Sequence, residues 1–142
     1  MTNKDPDERY TIVKEIIADP HLPCILQRTE LIGDPQFFSR LRMYALCAPH
    51  IEVGGWGNNA YVIEVAGRQI LMADKGGTWL ALAATVPFSR LSCGYVGHSD
   101  GWTDLADNFQ MDWEFGKALN GNVALTGEID LGSAVYLGTG NW

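Results

Sequence analysis

Long apolar runs are missing from this sequence, and so is any concentration of positive charge. No stretch approaches the run of about 18 apolar residues that a membrane-spanning helix needs. The N-terminus, MTNKDPDERY, has no apolar segment of the kind a secretory leader carries. No membrane partner is expected, and a cytoplasmic location is. Ten Lys and Arg stand against seventeen Asp and Glu, for a net charge of −7. Nucleic acids and anionic surfaces need a basic patch, so neither is an expected partner. Cysteine is scarce and odd in number: Cys24, Cys47 and Cys93 are isolated, with no C-x-x-C spacing. That excludes a zinc ribbon or dithiol redox motif and leaves free, buried thiols as the expectation. Histidine is equally sparse, and His21, His50 and His98 show no H-E-x-x-H or other ligand spacing. No metal and no cofactor is expected. There is no G-x-S-x-G elbow either, and Ser99 beside His98 and Asp100 is no triad, because neighbours on an extended chain point apart.

Turn residues are abundant. Sixteen glycines and six prolines in 142 residues point to short strands joined by tight turns. YTIVKEIIAD (10–19), CILQRTELIG (24–33) and FFSRLRMYALCAPH (37–50) read as strands bracketed by Asp-Pro and Pro-His signals. AYVIEVAG (60–67) and RQILMADKG (68–76) form a natural hairpin about Ala66-Gly67. TWLALAAT (78–85) is apolar enough for a central strand and ends at Pro87. FQMDWEFG (109–116) and NVALTGEIDLG (122–132) alternate, and AVYLG (134–138) closes the chain. Strands at this spacing argue for an antiparallel sandwich or barrel, an all-β unit formed as a single domain over 1–142, and the sandwich is the expected fold.

Chemistry-bearing residues concentrate in CGYVGHSDGWTDLADN (93–108). Asp100, Asp104 and Asp107 at i, i+4, i+7 would share a helical face, with a short helical turn starting near Asp100. Glycosidase chemistry needs one protonated and one ionised carboxyl flanking the bond. Acids at this spacing fit helix capping better, and the cluster with Asp112 and Glu114 is not read as catalytic. D-x-x-x-D-x-x-D also lacks the alternate ligands and central glycine of a calcium loop. Aromatics on loops are more informative. Trp56 in GGWGNN and Trp102 in SDGWTD have neighbours that build no core. A loop tryptophan beside Asp and Asn suits a sugar, whose apolar face stacks on the ring while the polar groups bond its hydroxyls. The candidate contact residues are therefore Trp102, Trp56, Tyr95, Asp100 and Asn58. Trp79 and Trp113 lie in strand patterns and read as core or sheet-surface residues.

These residues also resemble a family. SCGYVGHSDGWTDLADNFQMDWEFGKALNGNVALTGEIDL (92–131), with DPDERYTIVKEIIADP, CILQRTEL and MYALCAPHIEVGGWGNNAYV before it, is similar to the N-terminal β-sandwich domain of bacterial family 15 glycoside hydrolases. Those are the glucoamylases and glucodextranases. The resemblance implies a partial version of the family's super-sandwich, corresponding to its later half. The opening strands are lacking at the start, and GSAVYLGTGNW departs from the family pattern at the end. His98 stands where a smaller residue is expected. In the family an (α/α)6 barrel carries the acid and base, and nothing in this chain resembles it. The resemblance thus implies a non-catalytic domain with a structural or weak carbohydrate-contacting role. Its expected partners are a catalytic barrel domain or an α-glucan, and a homo-oligomer in which two chains cover each other's open sheet edges. The alternatives are part of a split α-glucan hydrolase whose barrel is a separate chain, or a free-standing carbohydrate-binding module.

Overall fold

A computed structural model of the chain describes residues 1–38 and 40–130; the strand expected at 134–138 lies outside them. The chain divides into two compact units, Met1–Leu41 and Arg42–Trp142.

The first unit is an antiparallel meander of β1 (Thr2–Lys4), β2 (Tyr10–Ala18) and β3 (Ile25–Gly33), in that spatial order. Its two long strands are those expected at 10–19 and 24–33, in register from Tyr10↔Gly33 to Ala18↔Ile25. Carboxylates shape its turns. Asp5 accepts from Arg9 Nε at 2.8 Å and from the Arg9 N–H at 3.2 Å. Asp19 Oδ1 accepts from the N–H groups of His21 and Leu22, closing the turn at Pro20. Asp34 does the same for Gln36 and starts α1 (Pro35–Phe38). The strand expected over 37–50 is therefore wrong in its first part: an Asp-Pro helix start outweighs the period-2 pattern there. Phe37 stacks on Tyr10 at 5.8 Å, with the Arg9 guanidinium 5.1 Å from the Phe37 ring centre.

The second unit holds β4 (Met43–Cys47), a 3-10 turn (Ile51–Val53), β5 (Asn58–Val65), β6 (Arg68–Lys75), β7 (Thr78–Leu82), β8 (Phe88–Tyr95), α2 (Gly101–Asn108), β9 (Lys117–Gly121) and β10 (Val123–Ile129). They form two antiparallel sheets, ordered β4-β10-β8 and β7-β6-β5-β9. Leu91, Cys93, Val123 and Leu125 from one sheet pack with Ala60, Leu71, Ala73 and Ala118 from the other. This is the expected all-β sandwich. The β5–β6 hairpin turns where predicted, with Ala66 and Gly67 both left-handed (φ 51° and 77°), as the right-handed twist of the strands requires.

Other expectations give way. β7 ends its sheet rather than lying at the centre, and Trp79 on it is exposed. Its apolar run reflects one covered face, not two. β1, β8 and β9 carry no clear alternation, and the sequence pattern predicts no strand at any of them. Segment 109–116 is not a strand: Phe109 closes α2 with φ 60°, and side chains hold the residues after it. The cysteines are free, but only Cys93 is buried; Cys24 is exposed and Cys47 is half-buried. Burial pushes the Cys93 thiol up to about 12. Among the described residues no helix is long and apolar enough to cross a membrane.

Candidate functional site

At one end of the second unit's sandwich, β4 and β8 end, β5 begins, and β9 turns into β10. The strand ends and connecting loops there carry Trp56, Asn58, Tyr95 and Asp100.

Asn58 is fully buried. Its Oδ1 accepts from the Ile51 N–H at 3.3 Å, and its Nδ2 donates to the carbonyls of Gly54 (2.9 Å) and Gly55 (2.6 Å). One carboxamide thus ties down the loop that carries Trp56, which is 78% exposed. Within the loop, Glu52 and Val53 are both left-handed (φ 55° and 59°), a costly conformation for a β-branched residue. Gly55 packs so closely on Asn122 that a Cβ there would sit 2.8 Å from Asn122 Oδ1 and 3.4 Å from His50 Nε2. Asn122 also joins the loops, because its carbonyl accepts from the Val96 N–H at 2.8 Å. Among the described residues its buried Oδ1 has no hydrogen-bond partner.

Tyr95 is committed to the neighbouring strand. Its hydroxyl donates to the Leu119 carbonyl (3.2 Å) and accepts from the Leu119 N–H (3.0 Å), while its ring covers Gly121. Gly94 allows the chain to fold back, since a Cβ there would collide with the Ser99 carbonyl. Asp100 then caps α2, with Oδ1 accepting from the Thr103 N–H (2.7 Å) and Oδ2 from the Gly97 N–H (2.6 Å). Burial pulls its carboxyl up, but the Thr103 and Gly97 N–H groups outweigh it and hold the group below its ordinary value. Asp100 is thus ionised at neutral pH and a poor proton donor.

The remaining acids are also engaged or apart. Asp104 is buried, and its Oδ2 accepts from the N–H groups of Asp112 and Trp113, each at 2.9 Å. Ser92 Oγ accepts from the Phe115 N–H, so the alternating residues of 111–115 are held largely by side chains. Glu114 pairs with Arg90 at 2.6 Å, and Asp107 is exposed. Paired carboxylates poised across an empty space are not formed by these acids.

α2 is built against the usual amphipathic rule. Its buried residues are Gly101 and Asp104, while Trp102 is 76% exposed and Phe109 at its end 80%. Gly101 lies on the Thr126 side chain, with no room for a Cβ. The five candidate residues thus divide by their contacts: Asn58, Tyr95 and Asp100 bind backbone, while Trp56 and Trp102 present bare rings on separate supports. Sequence reasoning passed over Asn122 and Phe109, and it read Asp104 as a helix-capping acid rather than as the support of the Asp112 and Trp113 backbone; only the turn-forming Asn120-Gly121-Asn122 hinted at the first. Away from these loops, an open cleft of about 220 Å³ is lined by Val65, Arg68, Ile70, Ala83, Pro87 and Phe88. It is smaller than a usual ligand pocket and carries no paired acids.

The second unit is thus an antiparallel sandwich whose buried acids hold backbone and whose surface carries exposed aromatic rings. The family model "Glucodextranase, domain N" matches residues 1–141. The chain is 30% identical over 131 residues to a glucoamylase of Clostridium sp. (strain G0005), covering 92% of this chain and 18% of that one. It superposes on the crystal structure of a bacterial glucoamylase complexed with acarbose with a TM-score of 0.84 and 30% identity, over 93% of this chain and 19% of the other. The chain belongs to the glucodextranase domain N family. It spans less than a fifth of the length of these glucoamylases.

Proposed function

We propose that this chain is a non-catalytic accessory domain of a glucoamylase-like protein, and that its aromatic loops meet the rest of such a protein. The observation that carries this is the division of labour around α2. Both oxygens of Asp100 and Oδ2 of Asp104 accept from four backbone N–H groups, while Trp102 and Phe109 are left bare. A site for hydrolysis would need those oxygens free. An interface would need the aromatics free, since buried aromatic anchors dominate docking energies. The catalytic barrel of such a protein, on the same polypeptide or a separate one, is the partner this reading implies.

The test has two parts. The purified chain should release no glucose from maltose or maltooligosaccharides; glucose release that disappears in Asp100→Asn or Asp104→Asn would overturn the non-catalytic reading. Binding of the chain to the barrel of a related glucoamylase should weaken about 30-fold or more in Trp102→Ala, the loss of an aromatic anchor worth about 2 kcal/mol.

A second reading, weak contact with an α-glucan, is favoured by Trp56. That ring stands on a loop stiffened by Asn58, which suits stacking on a sugar face. Maltooligosaccharide titration should then quench tryptophan fluorescence, and Trp56→Ala should remove the change. An unaltered spectrum at saturating sugar rejects this role.

A further inference from the structure

The first unit's sheet ends on β3, and among the described residues no strand pairs with its outer edge. Other strands that end a sheet are short or covered. β1 has three residues, and β4, β7 and β9 have five each. β8 is longer, but its Cys93 N–H donates to the Phe115 carbonyl beside it. β3 has nine residues, no proline and an unbroken register with β2. A long, regular, open edge of this kind is a template for another strand.

The backbone defines which groups are on offer. The Asp19 N–H donates to the Cys24 carbonyl, so the even-numbered residues of β3 bond to β2. Ile25, Gln27, Thr29, Leu31 and Gly33 therefore turn their N–H and C=O groups outward. Leu26, Arg28, Glu30 and Ile32 share one face of the strand. Leu26 and Ile32 are 53% and 52% exposed, and the side chains of Arg28 and Glu30 are 66% and 49% exposed.

We propose that β3 pairs with β3 of a second copy of this chain, antiparallel about a two-fold axis through Thr29. In that register Arg28 of each copy lies opposite Glu30 of the other, and Leu26 opposite Ile32. The outward-facing Thr29, Gln27 and Leu31 supply the hydrogen-bonded pairs. The charged and apolar pairs fall at the non-hydrogen-bonded positions, where cross-strand side chains are closest. Neighbouring two-fold registers are worse: an axis at residue 28 sets Arg28 against Arg28, and one at residue 30 sets Glu30 against Glu30. Within one chain a single guanidinium serves both Glu15 (3.2 Å) and Glu30 (3.3 Å), and the second copy gives Glu30 an arginine of its own. The strand is self-complementary in charge, in apolar surface and in backbone pairing, which is what an isologous interface demands.

Light scattering of the full chain at micromolar to sub-millimolar concentration should give twice the 15.6 kDa chain mass. Arg28→Glu and Glu30→Arg should each weaken the dimer about tenfold or more, since each sets two like-charge pairs across the axis. Mixed together, the two variants should recover the dimer, because both glutamates of the one then face both arginines of the other. Thr29→Pro removes the outward N–H on the axis, spares every β2–β3 bond, and should yield a monomer with unchanged far-UV circular dichroism. A wild-type chain of single mass overturns the proposal. So does a Thr29→Pro dimer of undiminished affinity, or folded charge variants that stay monomeric when mixed.

Discussion

The two units of this chain are both antiparallel β-structure, yet they are held together by different forces. In Arg42–Trp142, two sheets enclose a core that includes Leu71, Val123 and Leu125, each completely buried. In Met1–Leu41 no described apolar side chain is buried, and the most enclosed side chain is the carboxylate of Asp5. Ile16, Ile17, Ile25 and Leu26 on the long hairpin are exposed. The first unit is shaped by hydrogen bonds that Asp5, Asp19 and Asp34 make to nearby backbone, while the second is shaped by burial. Directional bonds define a form without supplying much free energy, because they replace bonds to water; burial supplies most of the energy.

The largest test of this contrast is truncation. Leu125→Ala should cost about 2–5 kcal/mol, read by urea denaturation of the sandwich, while Ile16→Ala on the hairpin should cost below about 1 kcal/mol. Equal losses would break the contrast. Next comes Asp104→Ala, which strands the N–H groups of Asp112 and Trp113 and should cost about 1–3 kcal/mol. If the cost is negligible, hydrogen bonding matters less in the second unit than its geometry indicates.

A smaller effect is expected from Asp100. Its carboxyl is lowered in the folded state, so the folded protein holds fewer protons there than the unfolded one. The stability this gives is present above the ordinary carboxylate value of 3.8 and is lost as pH falls through the lower, folded value. Asp100→Asn keeps a competent cap and should flatten this part of the acid limb of stability against pH. An acid limb unchanged by the substitution would count against the role. Smallest is Val53→Gly, which relieves a left-handed β-branched residue and should stabilise by about 1 kcal/mol, measured as a raised melting temperature.

Local signals made part of this molecule readable in advance. The strand at 10–19, the hairpin about Ala66-Gly67 and the helix starting at Asp100 each depend on residues within a few positions of one another. Longer-range features were hidden. FQMDWEFG alternates like a strand, but the groups that hold it are side chains of Asp104 and Ser92, which no periodicity reveals. TWLALAAT looks central because apolar content does not say how many faces are covered. Trp56 and Trp102 were legible as exposed rings, because glycine and acidic neighbours leave them no core to enter. That Asn58 and Asp100 spend their polar atoms on backbone became visible only once the loops were folded around them.

One consequence of α2 concerns how such a domain can change over generations. The helix is seated by Gly101 on Thr126 and by the two acids, all on its inner side. Its outer side contributes little to that seat. Substitutions at Trp102 can therefore be sampled without dislodging the scaffold, whereas those at Gly101 or Asp104 are constrained. Handle and tool are separately editable, so lineages can retarget the exposed side while the framework stays as it is.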